Sequence, residues 1–256
     1  MPNSRKGVRV ALSPARRIVV ELMHHARKVP SLPLKRTINI AALVQARQRC
    51  EMRPSWIALF LKAYALVALH RPELRRAYVG WPTPSLYEHP FSICSVLVER
   101  EWYGEKIVLG AKIRAPDEQP VSAIDEHLHR LATAPLEDIS EFRQLLNLGR
   151  VPGLLRRFVF WNSLHLSGFK KCKRFGTFMV SSLGNLGVEQ CHPLTPLTTY
   201  LSFGPISDAG DVTVLLVYDH RVMDGRTVGQ ALVDVEAALN GPILAELQHQ
   251  PLREAA

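Results

Sequence analysis

The sequence predicts an α/β fold in one domain, and three observations carry that expectation. Helical periodicity fills most of the first 150 residues, strand patterns fill most of the last 80, and no linker or repeat separates the two regions. The strongest strand signal, Val212-Thr-Val-Leu-Leu-Val-Tyr218, is almost continuously apolar, as expected of a strand covered on both faces. The 256 residues are enough to bury a full core, and 47% hydrophobic with 21% charged residues excludes extensive disorder.

Residues Ser13 to Arg27 open the chain as a helix. Ser13 caps it, Pro14 suits its first turn, and Ile18, Val19, Leu22 and Met23 form its apolar stripe. Thr37 to Ile40 reads as a short strand. Helices follow at Ile40 to Cys50 and Ser55 to Leu69, the second apolar nearly all round and therefore deeply buried. Pro72, Gly80, Pro82 and Pro84 break the pattern. Phe91 to Arg100 and Lys106 to Ile113 form a hairpin around Tyr103-Gly104, and helices are expected at Ser122 to Ala132 and Leu136 to Leu148. After a break at Gly149 to Gly153, the strands are Phe175 to Ser182, Leu197 to Phe203 and Val212 to Tyr218. A last helix carries Val228, Leu232, Val235 and Leu239 on one face and stops at Asn240-Gly241-Pro242.

Leu154 to Phe169 interleaves Leu154, Leu155, Phe158, Val159, Phe160 and Trp161 with Arg156 and Arg157, and Lys170, Lys171, Lys173 and Arg174 follow. Three readings fit: an interfacial helix on anionic lipid, a basic-aromatic nucleic-acid surface, or a core or subunit-contact helix followed by a solvated loop, the last being the plainest. Nucleic acid is not expected as a partner, and peripheral membrane contact through 154–174 stays open.

The formal charge of +9 favours an anionic partner. Cys50, Cys94, Cys172 and Cys191 lack the spacing of a disulfide framework or zinc knuckle and read as free thiols in a reducing cytoplasm. His24-His25 and His127-x-His129 lack further ligands at useful spacing, so no metal is expected. The longest apolar stretch, Trp56 to Leu69, is shorter than the ~20 residues of a membrane span. The basic first twenty residues lack the apolar core of a secretory signal.

The informative segment is Tyr218-Asp-His-Arg-Val-Met-Asp-Gly225. A buried strand ends where His220 begins, Asp224 returns four residues later, and Gly225 permits an unusual backbone angle before a helix. Such a placement suits a base. His220-Arg-Val-Met-Asp224-Gly225 resembles the His-x-x-x-Asp-Gly signature of the coenzyme A-dependent acyltransferase superfamily. Chloramphenicol acetyltransferases typically carry a second histidine where Asp219 stands. Asp-His-Arg instead resembles the catalytic domain of dihydrolipoamide acyltransferases, the core subunits of 2-oxoacid dehydrogenase complexes. Phe178-Met-Val-Ser-Ser-Leu-Gly184-Asn-Leu-Gly187 is similar to that family's strand and loop, and Leu12 to Met23 to its opening helix.

The resemblance implies a two-layer α/β sandwich of the chloramphenicol acetyltransferase-like type, a mixed sheet covered by helices. It implies a homotrimer, or a larger assembly of trimers, with active sites between subunits. Coenzyme A is the implied co-substrate, and an acidic lipoyl or phosphopantetheine carrier is a possible acceptor. His220 matches the general base, Ser181 the hydroxyl that stabilises the oxyanion, and Ser182 is its neighbouring fallback. Asp224 matches an orienting carboxylate, paired with an arginine, and Arg16 matches that arginine. The family's lipoyl and peripheral subunit-binding domains do not fit ahead of residue 12, so residues 1–256 are expected to be one catalytic domain, stand-alone or with its carrier on another chain. The family's central Gly-Leu-x-x-Pro-Val-Ile element is replaced by Ser92-Ile-Cys-Ser-Val-Leu-Val-Glu-Arg-Glu-Trp-Tyr-Gly104, and Leu154 to Arg174 has no counterpart. The lost element leaves a second reading in place: a non-catalytic member that binds a carrier or scaffolds an assembly.

Overall fold

The computed structural model describes residues 7–249. Helix α1 (Pro14–Ala26) begins where the Ser13 hydroxyl accepts from the Arg16 amide at 3.1 Å. Strand β1 (Ser31–Asn39) is longer than expected, because its charged and exposed residues hide the pattern of an edge strand. Helices α2 (Ala41–Arg49) and α3 (Trp56–His70) follow, α3 buried along most of its length. Strands β2 (Arg76–Val79) and β3 (Ser85–Glu88) pair as a small ribbon inside the Pro- and Gly-rich stretch that showed no strand pattern.

Strands β4 (Ile93–Trp102) and β5 (Glu105–Arg114) form the expected hairpin. Its turn residues Tyr103 and Gly104 have φ of 48° and 75°, the two positive angles that match the twist of paired strands. Helices α4 (Val121–Thr133), α5 (Ser140–Arg150), α6 (Gly153–His165) and α7 (Gly168–Phe175) precede β6 (Phe178–Ser182), β7 (Thr199–Phe203), β8 (Asp211–Asp219), α8 (Gly225–Ala238) and α9 (Leu244–Gln248).

The main sheet has the order β1-β8-β7-β6-β4-β5. Pairs β4–β6 and β6–β7 are parallel and the others antiparallel, so the sheet is mixed. One face carries Val96, Phe178, Val180, Leu201, Val214 and Leu216 into the main core beneath α3 and α8. The opposite face carries a smaller cluster of Met179, Leu197, Tyr200, Leu215 and Val217. Over the β4–β5 edge of that second face stand α1, α5 and α6. Helices α1 and α5 meet closely at Gly149, where a Cβ would lie 2.2 Å from the Pro14 carbonyl oxygen.

The segment 154–174 is two helices, not a helix and a solvated loop. Arg156 is buried, donating to the Val151 carbonyl at 2.8 Å, and it shares the buried Glu21 carboxylate with Arg157 at 3.6 and 3.3 Å. Lys171 is also buried. Two of the six basic residues of this run therefore face inward, while Leu154, Leu155 and Phe158 face outward on α6. Cys50, Cys94 and Cys172 are buried free thiols and Cys191 an exposed one. No described helix is long and apolar enough to cross a membrane.

Candidate active site

The turn carrying His220 is held by the residue before it. Asp219 ends β8 fully buried, and its carboxylate accepts from Arg221 Nε at 2.9 Å, Arg221 Nη2 at 2.7 Å and the Arg221 amide at 3.0 Å. The guanidinium of Arg221 lies 4.1 Å from the centre of the Tyr78 ring, a cation–π contact from the β2–β3 ribbon. The amide of Val222 donates to the Asp219 carbonyl at 2.9 Å and closes the turn, and the His220 amide donates to the Pro30 carbonyl at 3.1 Å.

His220 Nδ1 lies 3.1 Å from the Met223 carbonyl oxygen. A carbonyl only accepts, so this contact places the proton of the neutral ring on Nδ1 and leaves the Nε2 lone pair available. The side chain is 47% exposed, which gives that lone pair access to a substrate.

Asp224 departs from expectation. It stands at the N-cap of α8, but its side chain makes no capping hydrogen bond and is 86% exposed. Its Oδ1 lies 3.7 Å from His220 Nδ1. It forms no ion pair with Arg16 within the chain; Arg16 is exposed in the first turn of α1. The arginine pair that braces the loop is Asp219–Arg221, because Asp219 points inward and Asp224 outward. Gly225 has no positive φ. Its small size matters instead: a Cβ there would lie 3.2 Å from the Tyr218 hydroxyl.

The two neighbouring serines have different environments. The Ser182 hydroxyl donates to the Phe203 carbonyl at 2.7 Å and accepts from the Gly184 amide at 3.1 Å, so it is engaged in shaping the loop after β6. Ser181 is half-buried, on the same face as Met179 and Tyr200, and lies beside the Tyr200 phenol. Burial raises the pKa of that phenol, and the neighbouring Ser181 and Gln190 oppose the rise.

His220 and Ser181 do not meet within one chain. Ser181 is opposite Ser202, Ser202 is opposite Leu215, and Asp219 lies four residues further along β8. At ~3.3 Å per residue and ~4.8 Å per strand this separates the Cα atoms of Ser181 and Asp219 by about 16 Å, with His220 beyond.

A cavity of about 640 Å³ opens on the Ser181 face, within the usual range for small-molecule sites. Helix α1 contributes Arg16, Ile18, Leu22 and Met23 to its wall, β4 contributes Ser95 and Leu97, and α5 and α6 close it. Met179 and Tyr200 join its lining to the surroundings of Ser181. Within residues 92–104, Ser95 and Leu97 thus provide wall.

Sequence reasoning missed a buried polar group beside the His220 turn. Lys171, 4% exposed, donates to the Tyr78 carbonyl at 3.3 Å. Burial pulls its pKa down to about 8, against the opposing effect of Asp219. His25 Nδ1 and His165 Nε2 share a hydrogen bond of 3.0 Å, and burial lowers both pKa values to about 4. Among the described residues no group of three or more metal-ligating side chains exists.

The architecture matches solved acyltransferase structures at low identity. Against a dihydrolipoamide acetyltransferase from Azotobacter vinelandii the TM-score is 0.69 at 17% identity, covering 96% of each chain. Against a probable dihydrolipoamide acetyltransferase from Listeria monocytogenes it is 0.65 at 18% identity, covering 92% of this chain and 95% of that one. Against chloramphenicol acetyltransferase it is 0.53 at 11% identity, covering 90% and 96%. No protein-family model matches the sequence, and no curated protein matches it. The mixed sheet and its helices are the chloramphenicol acetyltransferase-like fold, shared with the catalytic cores of dihydrolipoamide acetyltransferases.

Proposed function

We propose that the chain is an acyltransferase domain moving an acyl group between coenzyme A and an acceptor thiol, hydroxyl or amine. The observation that carries the reading is the His220 ring, turned by the Met223 carbonyl so that Nε2 is the free and accessible nitrogen. The Azotobacter relative supports it, because its catalytic mechanism was investigated through a serine, a histidine and an asparagine four residues after the histidine. Asp224 stands at the corresponding spacing here, and Ser181 is the serine on the cavity face.

In this reading Nε2 takes the proton of the attacking thiol, whose pKa near ~8.5 or above keeps it mostly protonated at neutral pH. The sulfur attacks the thioester carbonyl, and the Ser181 hydroxyl donates to the tetrahedral oxyanion. Collapse breaks the carbon–sulfur bond, and the departing thiolate recovers the proton from the imidazolium. Because Ser181 and His220 are too far apart in one protomer, the site is assembled between protomers, in a homotrimer or an assembly of trimers. The acceptor occupies the cavity beside Ser181. Asp224 and Arg16, both exposed, are available for pairing across that same boundary.

A second reading, a carrier-binding or scaffolding module without turnover, is favoured by the lack, among the described residues, of any ion pair fixing Asp224 to an arginine. A third, action at a membrane surface, is favoured by the outward Leu154, Leu155 and Phe158. The deciding experiment is turnover of a panel of acyl-CoAs with lipoyl, phosphopantetheinyl and small-molecule acceptors. Wild type is expected to turn over, and His220→Ala to lose about 10²–10⁴-fold in rate. Equal activity of the two proteins removes His220 from the chemistry. Carrier binding with no turnover establishes the second reading.

A further inference from the structure

The cavity beside Ser181 is not uniformly apolar. Ile18, Leu22, Leu145 and Val159 are among its apolar lining, but Lys112 of β5 and the exposed Arg174 of α7 also line it and lie near each other. Lys112 is half-buried, and burial and the nearby Arg174 both lower its pKa, while Glu141 alone opposes them. Arg174 donates to the Ser163 hydroxyl within the cavity wall. Glu105 and Glu141 also line the space. Yet among the described residues no carboxylate forms an ion pair with either Lys112 or Arg174, although Arg36, Arg71, Arg76 and Arg221 are all paired. Two cations without a carboxylate partner, Lys112 half-buried and Arg174 exposed, thus stand on the wall of an apolar chamber and leave charge for a ligand to answer.

The register places Lys112 relative to Ser181. Lys112 is opposite Ser95, Ser95 is opposite Met179, and Ser181 lies two residues beyond Met179 on the same face. Strand geometry then puts the Cα atoms of Lys112 and Ser181 about 12 Å apart. An occupant spanning the cavity would present one end to each.

We propose that the cavity selects an acceptor with an extended apolar body and an anionic group, the anion at Lys112 and Arg174 and the nucleophile toward Ser181. This rests on the acyltransferase reading for the word acceptor, but the binding preference stands apart from it. Carboxylate and phosphate share the needed chemistry, and a neutral amide-capped chain lacks it.

The test is calorimetric binding of ω-mercaptoundecanoate, ω-mercaptoundecyl phosphate and the uncharged ω-mercaptoundecanol to the full-length protein. At least one acid should bind about tenfold or more tightly than the alcohol, the range of one charge-assisted hydrogen bond. Comparing the two acids identifies the preferred anion. Lys112→Met should abolish the preference while leaving the alcohol's affinity within about twofold, and Arg174→Gln should reduce it. Val159→Trp, which fills the apolar part, should weaken all three ligands together. Equal affinity for acids and alcohol in the wild type overturns the proposal, as does a preference unchanged in a folded Lys112→Met protein. Selective binding without acyl transfer would refute the acyltransferase reading and leave this one standing, and transfer without selectivity would do the reverse.

Discussion

Replacing Asp219 by Asn tests how the His220 turn is held. The substitution keeps the shape and removes the charge. In the wild type that carboxylate is fully buried and accepts three hydrogen bonds from Arg221, while buried Lys171 lies close enough to feel its charge. Without it, two cations stand beside a neutral amide. Breaking a fully buried ion pair costs ~3–5 kcal/mol. The Arg221 side chain is 31% exposed and can recover some hydration, so about 2–3 kcal/mol is the expected loss. Urea unfolding of Asp219→Asn, Arg221→Gln and the double variant measures it, and the cycle isolates the pair. A coupling energy of about 2 kcal/mol is expected, against the ~0–1 kcal/mol of a surface pair. Coupling below about 0.5 kcal/mol, with Asp219→Asn as stable as wild type, would refute the claim that this pair fixes the turn.

Two further outcomes are expected. The His25–His165 pair makes stability depend on pH: the folded pKa of about 4 lies below the unfolded value of 6.5, so the stabilisation is complete above pH 6.5 and is lost as pH falls from there toward 4. Denaturant titrations across that window should show a fall of about 3 kcal/mol or more, and His25→Phe, which can stack on Phe160, should reduce it and leave the part that His165 contributes; a flat wild-type profile contradicts the assignment. Ser182→Ala should cost about 1–2 kcal/mol, because it strands a carbonyl and an amide that the hydroxyl now joins, and should leave catalysis far less affected than Ser181→Ala; the opposite ranking of activities exchanges the roles of the two serines.

What the sequence revealed depended on how local each signal was. The β8 strand was legible because both of its faces are covered, which writes an unbroken apolar run. The hairpin at Tyr103-Gly104 and the capped start of α1 are likewise set by a few adjacent residues. Strand β1 was under-read because an edge strand carries Lys35 and Arg36 outward, and β2–β3 because four-residue strands between prolines leave no period to detect. Helix α7 read as a solvated basic loop, since nothing in its composition distinguishes Lys171, buried against Tyr78, from the exposed Lys173. At the site, His220 and Ser181 stood out by motif. Asp219 was noticed as a mark of resemblance, yet its role in holding Arg221 needed coordinates, and so did the outward direction of the Asp224 side chain. The cavity was illegible, because its walls come from α1, β4, β5, α5 and α6 and no single stretch carries its pattern.

The central claim is that one protomer supplies His220 and another Ser181, and subunit mixing tests it most directly. His220→Ala and Ser181→Ala proteins are each expected to be nearly inactive. Co-assembled in equal amounts, a cyclic oligomer places an intact histidine opposite an intact serine at about a quarter of its interfaces, so roughly a quarter of wild-type activity should return. A mixture no more active than the average of its two components, in oligomers shown to contain both, would contradict the shared site.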